Sequence, residues 1–128
     1  MASIKGNVGG SSRPIRDVDV TLKKVLAGIV KNTKTDSSGN YKLIGLNAGS
    51  YELELSKISI IPGEDSISGR ILINSSPKKG LNVDLFDSNG AKIGTSVTDK
   101  LGNYSFNGLP VGEIRKVVNL PNLELSVG

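Results

Sequence analysis

The chain of 128 residues has no cysteine, no histidine and no tryptophan. Without cysteine there is no disulfide framework, no thiolate nucleophile and no thiolate metal ligand. Without histidine the commonest general base and the commonest metal ligand are missing, so neither a Ser-His-Asp nor a Cys-His arrangement can be built. Aromatic residues make up only 4% of the chain, so the core has to be aliphatic. No apolar run approaches the ~20 residues of a membrane span, and no glycine-rich phosphate loop precedes a helix. The amino-terminal Met1-Ala2-Ser3 leads into a strand pattern and not an apolar signal region. The chain is therefore expected to be a piece of a longer protein, with any export signal or anchor outside it. Its net charge of +4 is spread in pairs such as Lys23-Lys24, Lys78-Lys79 and Arg115-Lys116. These read as solvated surface, with no nucleic-acid partner and no membrane contact implied.

What is present is one phrase said twice. Thr35-Asp36-Ser37-Ser38-Gly39-Asn40-Tyr41 returns as Thr98-Asp99-Lys100-Leu101-Gly102-Asn103-Tyr104, an offset of 98 − 35 = 63. Each copy is followed at equal distance by Gly45-Leu46 or Gly108-Leu109, then by Gly49 or Gly112. At this offset positions 4 to 51 share 14 identities in 48 without a gap, where chance would give roughly three. Each phrase reads as a tight turn. The Asp carboxylate accepts from a backbone amide two residues on, and the Gly takes the positive φ that closes the turn. Tyr41 and Tyr104 then open the following strand. Asp36, Gly39, Tyr41, Gly49, Asp99, Gly102, Tyr104 and Gly112 are accordingly expected to be structural, not catalytic or metal-binding.

Apolar residues alternate at period two in Val18-Val20-Leu22, Leu81-Val83-Leu85 and Tyr51-Leu53-Leu55, which points to half-buried antiparallel strands. Strands are expected at 3–8, 17–23, 29–35, 40–44 and 50–60, then at 66–73, 80–87, 91–98, 103–107, 113–118 and 122–127. Segment 50–60 reads as two strands or one bent one. A competing helical face, Leu22, Val25, Leu26, Ile29 and Val30, is outweighed by Asn89-Gly90 at the matching place in the second copy, a strong hairpin signal. The fold class is thus all-β: two tandem small antiparallel β-sandwiches, residues 1–61 and 66–128, joined by a linker at 62–65. Pro62 fixes its own φ and biases Ile61 toward an extended conformation, so the units are expected to stack end to end as a rod.

The order of a Gly in the first strand, Val-x-Val-x-Leu, Thr-Asp-x-x-Gly-x-Tyr and then Leu-x-x-Gly-x-Tyr resembles transthyretin-like (Ig-like) sandwich repeats. It is most similar to carboxypeptidase regulatory-like domains and to the B-type repeats of bacterial adhesins. The second copy departs at its end, with Glu113-Ile114 in place of Ser50-Tyr51. The resemblance implies a non-catalytic spacer, stalk or adhesion module of a secreted or cell-surface protein, with a carbohydrate-binding accessory module of an extracellular enzyme as the alternative. Its partners would be other domains of the same longer chain and an extracellular protein or glycan. Some such repeats bind calcium or form a Lys–Asn crosslink. Here Asp36-x-Ser38-x-Asn40 lacks the acidic residue at the far end of a calcium loop, and Leu101 replaces Ser38 in the second copy. Lys5 and Glu54 could be cast for a crosslink, yet no partner Asn is evident and the second copy has Ser68 at the Lys5 position. Neither a metal, a cofactor nor a covalent crosslink is expected.

Overall fold

In the computed structural model, which describes residues 2–10, 13–25 and 27–123 (the side chain of residue 122 excepted), the period-two pattern becomes strands throughout. The first repeat supplies β1 (Ala2–Gly10), β2 (Asp19–Lys24), β3 (Gly28–Lys34), β4 (Asn40–Leu46) and β5 (Gly49–Ile60). The second supplies β6 (Ile67–Ile73), β7 (Ser76–Pro77), β8 (Asn82–Phe86), β9 (Lys92–Val97), β10 (Asn103–Phe106) and β11 (Gly112–Leu123). Two antiparallel sheets pack as a sandwich, the all-β class that the sequence implies. The competing helix does not form. Val25 and Ile29 are 55% and 62% exposed, and β2 pairs with β3 as a hairpin. Leu26, on that helical face, lies outside the described residues.

Strand order corrects the expected rod. One sheet runs β10-β6-β1-β4, with β7 beside β6, and the other runs β3-β2-β5-β11-β8-β9. Each sheet therefore takes one half from each repeat, joined by β1–β6 in the first and β5–β11 in the second. The cause lies in the connector. Pro62 and Gly63 occupy the middle of a reverse turn in which the Glu64 amide donates to the Ile61 carbonyl at 3.0 Å, with Gly63 at φ 91°. Pro at the second and Gly at the third position are the residues of a type II turn. Instead of leaving straight, the chain doubles back and crosses from one sheet to the other. Glu64 is then buried, and its Oε1 accepts from Arg13 Nη2 at 3.1 Å, fastening the turn beside the end of β1.

The register gives the relation between the repeats. Asn7 faces Arg70 across β1–β6, and 70 − 7 = 63. Glu54 faces Val117 across β5–β11, and 117 − 54 = 63. Where two copies of a strand pair antiparallel, the residue that meets its own copy marks a two-fold axis, and here one such axis passes through both sheets. Buried residues from Ala2 to Leu123 form one continuous core across the repeats.

Two strand boundaries differ from expectation. Segment 50–60 is a single bent strand, with Lys57 at φ 62° in a bulge where the β11 register shifts between Ile114 and Lys116. The strands expected at 113–118 and 122–127 are joined through Pro121 into β11. A second register shift between Leu120 and Leu123 accommodates the proline, which has no ladder N–H to give. Residues 124–127 lie outside the described residues. The short β7 was not expected; Asn74 and Ser75, at φ 53° and 66°, turn the chain into it.

A single compact body of this length should have a radius of gyration of about 14 Å. Small-angle scattering that returned a clearly larger value, as two bodies in line would give, would overturn the shared sheets.

Candidate functional site

The repeated phrase folds the same way in both copies. Asp36 Oδ1 accepts from the amides of Ser38 and Asn40, each at 2.9 Å, and the Gly39 amide closes the turn on the Asp36 carbonyl at 2.9 Å. Asp99 does the same with Leu101 and Asn103, each at 2.9 Å. Gly39 and Gly102 sit at φ 78° and 79°. Both turns also dock on the central strands. The Val8 amide donates to the Gly39 carbonyl at 2.8 Å and the Ile71 amide to that of Gly102 at 2.9 Å. A Cβ on Gly39 or Gly102 would run into the Val8 or Ile71 carbonyl oxygen. Gly49 and Gly112, at φ 151° and 134°, open β5 and β11.

Sequence reasoning left out two parts of this device. Asp87 makes a third turn of the kind between β8 and β9, accepting from Asn89 at 2.9 Å and Ala91 at 3.0 Å, with Gly90 at φ 85°. The signal was available, since Asp87-x-x-Gly90 has the spacing of Asp36-x-x-Gly39. The phrase's threonines are buried clamps. Thr35 Oγ1 accepts from the Val18 amide at 2.9 Å and donates to the Ile15 carbonyl at 2.8 Å. Thr98 repeats this with Leu81 at 2.9 Å and Lys78 at 2.6 Å. A hydroxyl that both donates and accepts can settle two inward-facing backbone groups at once.

Tyr41 and Tyr104 enter the core from opposite sides of the two-fold axis. Their hydroxyls lie against Gly6 and Gly69, where any side chain would collide with the ring. Gly6 and Gly69 are themselves copies across the axis. The chemistry there is lopsided. Lys116 on β11 is fully buried and its Nζ donates to the Tyr104 hydroxyl, with the ammonium 4.4 Å from the ring centroid. The copy of Lys116 is Leu53, and the Tyr41 hydroxyl has no hydrogen-bond partner. Burial pushes the Lys116 amine down to about 7 and the Tyr41 phenol upward. Tyr104 is also raised, by burial first and then by Tyr41. The reading of Arg115-Lys116 as a solvated pair is thus half wrong, because neighbours on a strand face opposite ways. Arg115 points outward, 2.8 Å from Glu54 and stacked 4.6 Å over Phe86, while Lys116 points in. Sealed from solvent, the Lys116–Tyr104 pair can receive no substrate.

On the outside, Lys5 and Glu54 stand on the outer faces of different sheets, so the pair cast for a crosslink is not brought together. Glu54 lies between Arg115 at 2.8 Å and Lys23 at 3.0 Å; burial disfavours its charge, but the two cations outweigh that and hold its carboxyl below the usual range. A cleft of about 600 Å³ opens on the outer side of the five-stranded sheet, bordered by Lys5, Lys42 and Arg70. Among the described residues no three acidic side chains gather as a metal site would require.

With the turn geometry in place, comparison with known proteins finds a match for the first repeat. Residues 3–64 match the carboxypeptidase regulatory-like domain. The matched stretch takes in β1–β5 and the Pro62-Gly63 turn, and the second repeat carries its phrase again. The chain is also similar to Serine-aspartate repeat-containing protein E of Staphylococcus aureus strain Mu50, at 24% identity over 91% of this chain and 14% of that protein. It is 26% identical to the Bone sialoprotein-binding protein of S. aureus strain MRSA252 over the same shares. The chain thus spans about a seventh of the length of these relatives. Among solved structures, a calcium-dependent carbohydrate binding module aligns over 99% of this chain and 96% of its own, at 13% identity and a TM-score of 0.46. That likeness is too slight to bear on ligand or metal.

Two outcomes follow from this geometry. Gly39→Val and Gly102→Val should each cost about 1–3 kcal/mol from backbone strain, plus the collision with β1 or β6. Gly90→Val carries the strain alone, since nothing lies within 4 Å of its Cβ position. Denaturant midpoints should therefore fall further for the first two; equal losses would refute the docked turns.

Stability should also rise with pH between about 7 and 10. In that window the unfolded chain holds the Lys116 proton, with an ordinary value of 10.5, and the folded chain does not. Each pH unit then favours folding by up to roughly 1.4 kcal/mol. Asp19 and Glu54, held low by their cations, lose their contribution only in acid. Tyr41 and Tyr104, raised in the fold, withdraw theirs only above about pH 10. Lys116→Leu, which copies position 53, should flatten the profile. A wild-type midpoint unmoved between pH 7 and 9 would refute the buried amine.

Proposed function

We propose that this chain is a non-catalytic module of a secreted or cell-surface protein, serving as an adhesion or stalk element beside other domains of the same longer chain. The observation that carries this reading is where the polar residues of the repeated phrase go. Thr35 and Thr98 are buried against backbone groups, and Asp36 and Asp99 hold the amides of their own turns at the surface. The residues that a sequence search would nominate as a site are therefore those that hold the turns, and Gly49, Gly112, Tyr41 and Tyr104 belong with them as structural residues. The similarity over 91% of the chain to S. aureus proteins, one of them named for binding bone sialoprotein, supports an extracellular partner.

The fold favours an adhesive over a purely spacing role. Ala2 pairs with Leu46 and Leu123 with Gly49, so the first and last described strands meet beside the same turn. A compact body whose first and last described strands meet at one end adds breadth more than length.

Antibodies raised against the folded chain should label intact cells of the source organism or detect the protein in its medium. Brief treatment of the cells with an external protease should remove any surface label. Signal found only after lysis would sink the proposal.

A further inference from the structure

We propose that the cleft on the outer face of the five-stranded sheet binds an anionic glycan, a sugar chain bearing sulfate or carboxylate groups, through Lys5, Lys42 and Arg70. The proposal rests on the surface-module reading only for where such a glycan would be met; the binding is a property of the isolated chain.

Charge at the cleft is positive in excess, with Lys5, Lys42 and Arg70 set against the carboxylate of Asp36. Lys5 lies directly opposite Lys42 in the β1–β4 register, an arrangement of like charges that destabilises a sheet. No ion pair among the described residues reaches Lys5, Lys42 or Arg70. Arg70 Nε donates to the Leu101 carbonyl at 2.8 Å, which fixes the guanidinium and leaves its terminal nitrogens for the forked contact that carboxylate and sulfate accept. Among the described residues Asp36 is the one carboxylate on the rim, and its Oδ1 already holds two backbone amides. Lys34, also on the rim, is turned to Asp19 at 3.4 Å.

The fold itself does not ask for these lysines. Across the two-fold axis lies the copy of this cleft, about 310 Å³, shared at Asn7 and Arg70 and bordered by Asp99, Asn103 and Tyr104. At the positions of Lys5 and Lys42 it has Ser68 and Ser105. The same strands in the same register are built with serine there, so the facing lysines are an addition to the first repeat, placed where they cost stability.

The lining also separates ligand classes. Asn7 and Asn40 offer amides suited to sugar hydroxyls beside the cations. All five aromatic side chains are buried or, for Phe86, half-buried beneath Arg115. No ring is left to stack a nucleic-acid base or to serve as a platform for a neutral sugar.

Calorimetric titration at low and raised salt, with a heparin oligosaccharide, a hyaluronan oligosaccharide and a neutral maltooligosaccharide, tests this. At least one of the two charged probes should bind, more weakly as salt rises, and the neutral one should not. The heparin arm reads sulfate and the hyaluronan arm carboxylate. Lys5→Ser with Lys42→Ser, the second repeat's own residues, should weaken binding about tenfold or more while keeping or raising the melting temperature. The charge-matched Lys79→Ser with Lys100→Ser should stay within about twofold of wild type. Arg70→Gln is a second reading of the same cleft should the double serine variant fold poorly, and it should weaken binding too. Absence of binding to both charged probes, equal loss in both lysine pairs, or an Arg70→Gln variant of unchanged affinity would each overturn the cleft. None of these failures touches the surface labelling that tests the module itself.

Discussion

The structure depends on the pairing of β5 with β11. Each is a 12-residue strand, and in a repeat standing alone each would be a sheet edge. The core-facing side of β5 carries Tyr51, Leu53, Leu55, Ile58 and Ile60, all buried. An edge of that length and character is a site of aggregation unless it is covered. Mutual pairing covers both edges at once, and β1 with β6 closes the other sheet in the same way. A unit of ~60 residues is marginal alone because it buries a small fraction of its surface; joining two around one axis yields the core of a larger domain. The Pro62-Gly63 turn is what makes this geometrically available, by sending the chain back across the sandwich.

Seen from the axis, the places where the repeats differ are more informative than those where they agree. Agreement lies in the turns, the threonine clamps and the glycines under the tyrosine hydroxyls, where backbone geometry admits few residues. Two of the many differences introduce charge. Inside, Leu53 is answered by Lys116. Outside, Lys5 and Lys42 are answered by Ser68 and Ser105. Both differences place positive charge where the fold has to bear it, one by burial and one by facing like charges. The two-fold relation supplies for each an internal reference, the same backbone with the neutral residue.

The turns were legible in the sequence because their requirements are local. Asp and Gly three positions apart state a hydrogen bond and a positive φ within five residues, and an offset of 63 says that this occurs twice. The sandwich class was legible for the same reason, through Val18-Val20-Leu22 and its copy. The shared sheets were not. Sequence periodicity tells which face of a strand is buried, but it is silent on which strand lies beside it, and β5 reads the same as an edge or as the centre of a six-stranded sheet. Pro62 misled because it was weighed without Gly63, and the pair reverses the chain that the proline alone would extend. Lys116 was hidden by the opposite habit, reading adjacent basic residues as one patch when a strand sends them to opposite sides.

Lys116 also shows what the axis costs. Two tyrosine hydroxyls are driven toward the middle of the core by Gly6 and Gly69, which leave the rings room to approach the central strands. A phenol buried there without a partner is unfavourable, and symmetric neighbours would leave two of them. An apolar side chain at position 116, like Leu53 opposite, would leave Tyr104 in the state of Tyr41. The amine supplies a partner to one hydroxyl, at the cost of its own desolvation, and shedding its proton near neutral pH reduces that cost. The core is therefore satisfied on one side of the axis and unsatisfied on the other. Such lopsidedness is open to a tandem repeat in one chain, where the two copies can vary separately, and closed to a dimer of identical subunits, where one substitution appears on both sides.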